Sequence, residues 1–330
     1  MKNPYIIAEI ASAHEGQPDL AIDIAHHAVN AGADAVKFQI FNRDQLLTRK
    51  NSYYDEFGEI ELSPEAWQKI LEKVSIEKID LIVEPYDMDS FDTAEKTGIV
   101  DGYKIPTASI GETALLEEVK NTGKPVYMGV GGAEWSEIKH AVSLFKKSEI
   151  TLLCGFQNFP TRLEDSKLYQ IPQLKEAFGC AVGYADHVDA EDAEMARLVP
   201  ALAVAAGATL IEKHITDDRA RKGKDHYSSL NPDEFKDFVK LMHILPDIIG
   251  EEKEWILSEA ELIYRKFTKR QAVAAQGIVT GKPFDIKDVI YKRTNEDGLS
   301  MQDISQFFGR EVIRSKKADE PLKREDFGGS

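Results

Sequence analysis

Ala31-Gly32-Ala33-Asp34-Ala35-Val36-Lys37-Phe38-Gln39 sets the pattern for most of this chain. Upstream, Leu20, Ile22, Ile24, Ala25, Ala28 and Val29 recur at helical spacing, and that helix ends near Gly32. An apolar strand begins within a few residues, ends on Lys37 and runs on through Phe38 and Gln39. Tight helix-to-strand turns of this kind are normal between βα units. Working outward, the same arrangement recurs. Ile6 to Glu9 lies before it, and Ile79 to Glu84, Tyr103-Lys104, Val126 to Val130, Ile150 to Phe156, Ala181 to Ala185 and Leu210 to Lys213 lie after it. These short apolar runs, mostly separated by helix-length segments, predict a (β/α)8 TIM barrel over residues 1–250. Nearly every run ends in a residue that chemistry can use. In such barrels the site lies at the C-terminal ends of the strands.

Two further segments are expected, a charged helical linker over 251–267 and a small β-rich domain over 268–327. The latter reads as Gln271 to Ala275, a turn at Gly281-Lys282-Pro283, Val289 to Arg293 and Glu311 to Ile313. The loop over 43–63 is long for a simple turn, which points to a lid or an interface element. Residues Ala190 to Ala205 read as one helix, or as two broken at Pro200.

The net charge of −16 argues against nucleic-acid binding and against attachment to anionic membranes. An anionic substrate would need a local cluster of Lys, Arg or backbone N–H groups. Two cysteines, Cys154 and Cys180, do not make a secreted scaffold. With no signal pattern and no apolar run of membrane-spanning length, a cytoplasmic protein is expected.

Three constellations carry chemistry. His187 and His214 end adjacent strands, close enough for two imidazoles to share one divalent ion. With water and carboxylate in the other positions, such a pair suits Mn, Fe, Co or Zn. The plain alternative is two separately hydrogen-bonded histidines. Lys37 and Lys104 end strands two and four, and a lysine in an apolar strand is costly to bury unpaired. Together they point to a carboxylate or phosphate, to a Schiff base, or to simple neutralisation by Glu9 and Glu84. Gly129-Val130-Gly131-Gly132 ahead of a helix could form an anion nest, or only a tight turn. His14 falls in the loop after strand one, on the side facing the site.

With these residues placed, the chain closely resembles the N-acetylneuraminate (sialic acid) synthase family of nonulosonic acid synthases. The resemblance is carried by Glu9 to Gly16, Ala31 to Gln39, Gly102 to Ile105, Phe159 to Asp165, Gly183 to His187, Ile211 to Thr216, Gly223 to Asp225 and Tyr291 to Arg293. It implies that a PEP carbon condenses with the aldehyde of an open-chain N-acyl hexosamine or related aldose, with C–O cleavage releasing phosphate. His187 and His214 would then hold Mn²⁺, with Mg²⁺ or Co²⁺ as alternatives. Glu9 would handle protons or orient the water that attacks C2. Lys37 and Lys104 would bind PEP, and Asp225 would hold sugar hydroxyls. Gln39, Thr107, Gln157 and Asp186 are further substrate-binding candidates. The small domain looks like the family's antifreeze-like (SAF) domain. It implies a domain-swapped homodimer in which Arg293 reaches the partner's sugar.

One region departs from the family. Its Ser/Thr-rich strand ends are replaced here by Val83-Glu84-Pro85, Gly129-Val130-Gly131, Cys154-Gly155-Phe156 and Ala185-Asp186-His187. Glu84 should repel PEP unless it pairs with a lysine, and Arg162 is expected to supply compensating charge. A metal-dependent pyruvate-type aldolase and a non-catalytic binder of acidic sugars are the alternative readings.

Overall fold

In the computed structural model of this chain, residues 2–147, 149–156, 158, 160–250 and 255–329 are described. Eight parallel strands pair in chain order and close into a barrel. They are β1 (Tyr5–Glu9), β2 (Ala35–Ile40), β3 (Asp80–Pro85), β4 (Gly102–Ile105), β5 (Val126–Gly129), β6 (Ile150–Cys154), β7 (Ala181–Asp186) and β8 (Leu210–His214). The register places Glu9 beside Lys37 on one side and beside His214 on the other, and Gln39 beside Glu84.

Strand parity sorts these residues into two environments. Ile6, Ala8, Val36, Phe38, Leu81, Val83 and Tyr103 pack outward against the helices in the main core. Ile7, Ala35, Ile82, Leu153, Ala185 and Leu210 form a separate apolar layer inside the barrel. Tyr5 and Tyr127 stack beneath it, ring centroids 6.4 Å apart. Two residues further along β1, β2, β3 and β8, the same inward parity delivers Glu9, Lys37, Glu84 and Glu212. A dry apolar floor therefore carries a charged upper layer.

The helices start and stop where local chemistry dictates. Pro18–Ala31 opens with proline in its first turn and ends at Gly32, whose φ of 87° few residues other than glycine adopt cheaply. Ser63 caps Pro64–Ser75 by accepting the Ala66 N–H at 3.2 Å. That helix buries Trp67, Ile70, Leu71 and Val74 on one face, each contributing roughly 1.5–3 kcal/mol relative to exposure.

Several expectations are revised. The 43–63 segment is not a plain loop, since it contains short helices at Arg43–Leu46 and Tyr54–Ile60. Of the two readings at Pro200 the single helix stands, shorter than expected: Met195–Ala205 runs through Pro200, which removes one backbone donor from it. Glu311 to Ile313 forms no strand but only single bridges, Pro283 to Glu311 and Val312 to Phe327. Cys154 and Cys180 are buried and free, and burial pushes the Cys154 thiol up to about 12.

The chain divides into two compact units, residues 1–251 and 252–330. The second has its own core, built from Ala272, Ala274, Ile278, Phe284, Val289, Ile304, Phe307, Val312, Leu322 and Phe327. The Phe327 ring lies 4.7 Å from those of both Phe284 and Phe307. Its antiparallel pair is β9 (Gln271–Ala274) with β10 (Val289–Lys292).

Candidate active site

The charged layer is a closed network. Lys37 Nζ donates to Glu84 Oε2 at 2.5 Å, lies 3.2 Å from Glu212 Oε2 and also pairs with Glu9 Oε2. Lys104 Nζ lies 2.6 Å from Glu212 Oε1 and 3.6 Å from Glu84 Oε1. Every member is buried. Burial lowers Lys37 to about 8, with Glu212 and Glu84 pulling the other way. Burial also works against the Lys104 ammonium, but Glu212 and Glu84 outweigh it and hold it above the ordinary lysine value. Burial opposes ionisation of Glu212 as well, yet Lys104 and Lys37 bring it down to about 2. All three groups are thus charged at neutral pH.

Glu9 has a second anchor. Its Oε1 accepts the Ala11 N–H at 2.6 Å. Ala11 reaches it from a left-handed conformation, φ 43°, that costs a non-glycine residue energy. Local strain here keeps a backbone donor aimed at the carboxylate.

His187 and His214 stand at the rim with ring centroids 5.1 Å apart. The His187 carbonyl accepts from Thr161 N and Ser228 Oγ, both at 2.8 Å, and the His214 carbonyl accepts from Leu230 N at 3.0 Å. Burial, then the Lys104 charge, pulls His187 down to about 3, and burial holds His214 well below its usual value. Both rings are therefore neutral at physiological pH, the form that ligates metal. Among the described residues no group of three His, Cys, Asp or Glu could hold an ion. The pair fits a divalent metal as two nitrogen donors, with oxygen ligands to come from water or substrate.

A cavity of about 370 Å³ opens beside this cluster. Gln39, His214, Asp225, Ser12, Glu56 and Lys224 supply its polar lining, and Phe41, Tyr53, Phe57, Ile60 and Tyr86 its apolar wall. Gln39 Nε2 donates to Glu84 Oε2 at 3.2 Å. Asp225, held at φ 59°, accepts the Ser12 N–H at 3.0 Å, and burial raises its carboxyl. Lys224 pairs with Glu56 at 2.6 Å, tying the loop after β8 to the helix Tyr54–Ile60.

This geometry sits on a chain with named relatives. A family model described as the NeuB family matches residues 24–254. The chain belongs to the NeuB family. An uncharacterized protein of Methanocaldococcus jannaschii is 32% identical, over 98% of this chain and 95% of that protein. The N,N'-diacetyllegionaminic acid synthase of Legionella pneumophila is 28% identical, over 96% and 93%. Among solved structures, an N-acetylneuraminic acid synthetase from Leptospira borgpetersenii is 30% identical, with a TM-score of 0.74 over 81% of this chain and 93% of that one. As a NeuB-family member the chain is an enzyme, a transferase that forms C–C bonds.

The remaining candidates of this NeuB-family barrel are placed as follows. Glu9, Lys37, Gln39, Lys104, His187, His214 and Asp225 converge at the mouth. Thr107 packs close to Gly129, where an added Cβ would lie 3.0 Å from its hydroxyl. Gln157 lies outside the described residues. Asp186 belongs elsewhere: β7 and β8 turn it and Lys213 outward together, and the two form a fully buried ion pair between barrel and helices. Arg162 stands apart from the lysine pair, exposed and engaged with Glu164 and with Asp165 at 3.7 Å. Arg293 follows β10 in the second unit and is exposed.

The glycine-rich turn is shaped by close packing. Gly131 is required because a Cβ there would lie 1.8 Å from the Gly155 carbonyl. The following helix, Trp135–Ser143, already has the Glu137 carboxylate accepting the Glu134 N–H at 2.7 Å. His14 also departs from expectation. It is buried with its ring edge-on to Trp67 at 5.5 Å, and its Nδ1 accepts the Gly16 N–H at 3.1 Å.

Glu212, expected only as a carboxylate accompanying His214, belongs to the lysine network. Its signal was parity, since it precedes His214 by two on one strand.

Burial holds His14 down to about 4. A base with a depressed folded pKa takes up its proton on unfolding first, so its stabilising share is complete above about pH 6.5 and is lost as pH falls towards 4. His14→Asn keeps an acceptor for Gly16 but does not titrate. Between pH 7 and 5, wild type is expected to lose about 2 kcal/mol more stability than this variant. Urea unfolding at both pH values measures the difference, and equal losses would contradict the assignment.

Proposed function

We propose that this enzyme condenses phosphoenolpyruvate with the open-chain form of an N-acyl hexosamine or related aldose, giving a nonulosonic or related ulosonic acid. The observation that carries this reading is the convergence of Lys37, Lys104, Glu9, His187 and His214 at one barrel mouth in a NeuB-family chain. Relatives named as legionaminic, pseudaminic and N-acetylneuraminate-9-phosphate synthases support it.

In this reading Lys37 and Lys104 bind the carboxylate and phosphate of the enol donor. Glu9, anchored by Ala11 and Lys37, orients the water that adds at C2 and takes its proton on the carboxylate. C3 of the donor bonds to the aldehyde carbon as its C=O π bond opens, the former aldehyde oxygen takes up the proton released by the water, and the C–O bond at C2 breaks to release phosphate. Gln39 and Asp225 hold sugar hydroxyls against the aromatic wall of Phe41 and Phe57. A divalent ion held by His187 and His214, Mn²⁺ first among the choices, would supply Lewis-acid polarisation of the aldehyde oxygen.

The second unit is read as an antifreeze-like domain serving a partner's site, with Arg293 reaching the sugar in a swapped homodimer. A cytoplasmic setting is part of the same reading. Among the described residues no helix is long and apolar enough to cross a membrane.

The test is phosphate release from PEP, measured with and without a panel of N-acyl hexosamines and Mn²⁺. Acceptor-dependent phosphate release is expected. Consumption of pyruvate with no phosphate release would replace this reading with the aldolase. Mixing Arg293→Ala chains with His187→Ala chains should recover part of the activity. No recovery after confirmed subunit exchange would refute the swapped arrangement.

A further inference from the structure

We propose that Glu84 is a resident counter-ion on the Lys37–Lys104 pair, which an anionic donor must displace, and that it thereby sets which anions this enzyme binds. The inference rests on reading the barrel mouth as the donor site of an anion-consuming synthase.

The geometry is that of one carboxylate bridging two ammonium groups. Glu84 places Oε2 on Lys37 at 2.5 Å and Oε1 towards Lys104 at 3.6 Å. Glu212 makes the same bridge at 3.2 and 2.6 Å. The lysine pair is therefore spaced to be spanned by a single carboxylate, and a ligand carboxylate or phosphoryl group matches the same span.

Charge counting identifies a surplus. Glu9, Glu84 and Glu212 are three carboxylates against two ammonium groups, so two of them suffice to neutralise the lysines. A buried surplus charge is costly and calls for a role other than holding the fold.

Position identifies Glu84 as the replaceable one. Glu9 is held by the Ala11 N–H as well as by Lys37, and Glu212 lies tight against Lys104. Glu84 makes the longest of the four bridging contacts. Its third partner is Gln39, which lines the cavity, as does Tyr86, two residues along the chain. Glu84 can leave Lys104 and keep Gln39, opening the lysine pair from the cavity side. A phosphoryl group carries more charge than the carboxylate it displaces and gains by the exchange, whereas the single carboxylate of a monoanion only matches what Glu84 already supplies. The expected selectivity is for PEP over pyruvate.

The test is calorimetric titration of PEP, pyruvate and inorganic phosphate into the full chain as wild type, Glu84→Gln and Glu84→Thr, with urea unfolding to verify folding. Glu84→Gln keeps the shape and leaves two carboxylates on two ammonium groups. It is expected to bind PEP at least about tenfold more tightly than wild type, with Glu84→Thr shifted the same way. The proposal is overturned if both folded variants bind all three probes no more tightly than wild type. It is equally overturned if neither variant folds, since Glu84 is then structural. Turnover of PEP by wild type with no gain in the variants would remove the counter-ion and leave the synthase. A gain for phosphate or pyruvate, with no form binding PEP, would keep the counter-ion and remove the synthase.

Discussion

Lys37→Met is expected to destabilise the enzyme by about 3–5 kcal/mol, because it leaves three buried carboxylates facing one ammonium group. Lys37 has no exposed surface and contacts Glu9, Glu84 and Glu212. The apolar layer of Ile7, Ala35, Ile82, Leu153, Ala185 and Leu210 lies below, so water cannot reach the orphaned carboxylates from beneath. Part of the loss should be recovered in Lys37→Met/Glu84→Gln, which removes one of the three. The expected coupling between the two positions is about 1–3 kcal/mol, measured by a urea double-mutant cycle. Additive effects would mean that the contact contributes nothing in solution. Surface pairs such as Lys146–Glu149, with the lysine 83% exposed, should by contrast change stability by less than about 1 kcal/mol when cut.

The second large effect concerns the histidines. His187→Ala and His214→Ala are each expected to lower turnover by more than about a hundredfold. Each should also abolish retention of Mn²⁺ after gel filtration, read by elemental analysis independently of activity. Both rings are buried and neutral, so alanine removes an imidazole donor without removing a charge. Full Mn²⁺ retention in either variant would refute a shared ion.

Most of the barrel was legible because its strands are short, apolar and end in polar residues that stand out against them. Glu9, Lys37, Lys104, His187 and His214 stand out as candidates from those endings, and the barrel brings them to one mouth. Parity was the signal not followed to its end. It puts Glu212 on the inner face with His214, and Asp186 on the outer face with Lys213, where the sequence reading had Asp186 touching substrate. His14 is a related case, since chain proximity to the site says nothing about the direction of a side chain in a turn. Arg162 was misread for a different reason. A guanidinium finds the nearest carboxylates, and Glu164 and Asp165 lie in its own turn. The second unit was only partly legible. Single bridges such as Val312 to Phe327 leave no alternation to read, and its core is fixed by scattered phenylalanines.

The layered barrel interior also bears on how this family can diverge. Changing position 37 or 104 alone strands a charge above a floor that cannot solvate it, so such changes must arrive as compensated pairs. Position 84 is different, since removing its charge leaves the others matched. Lineages are therefore free to exchange that one residue in a single step, and donor preference can drift there while the rest of the mouth stays frozen.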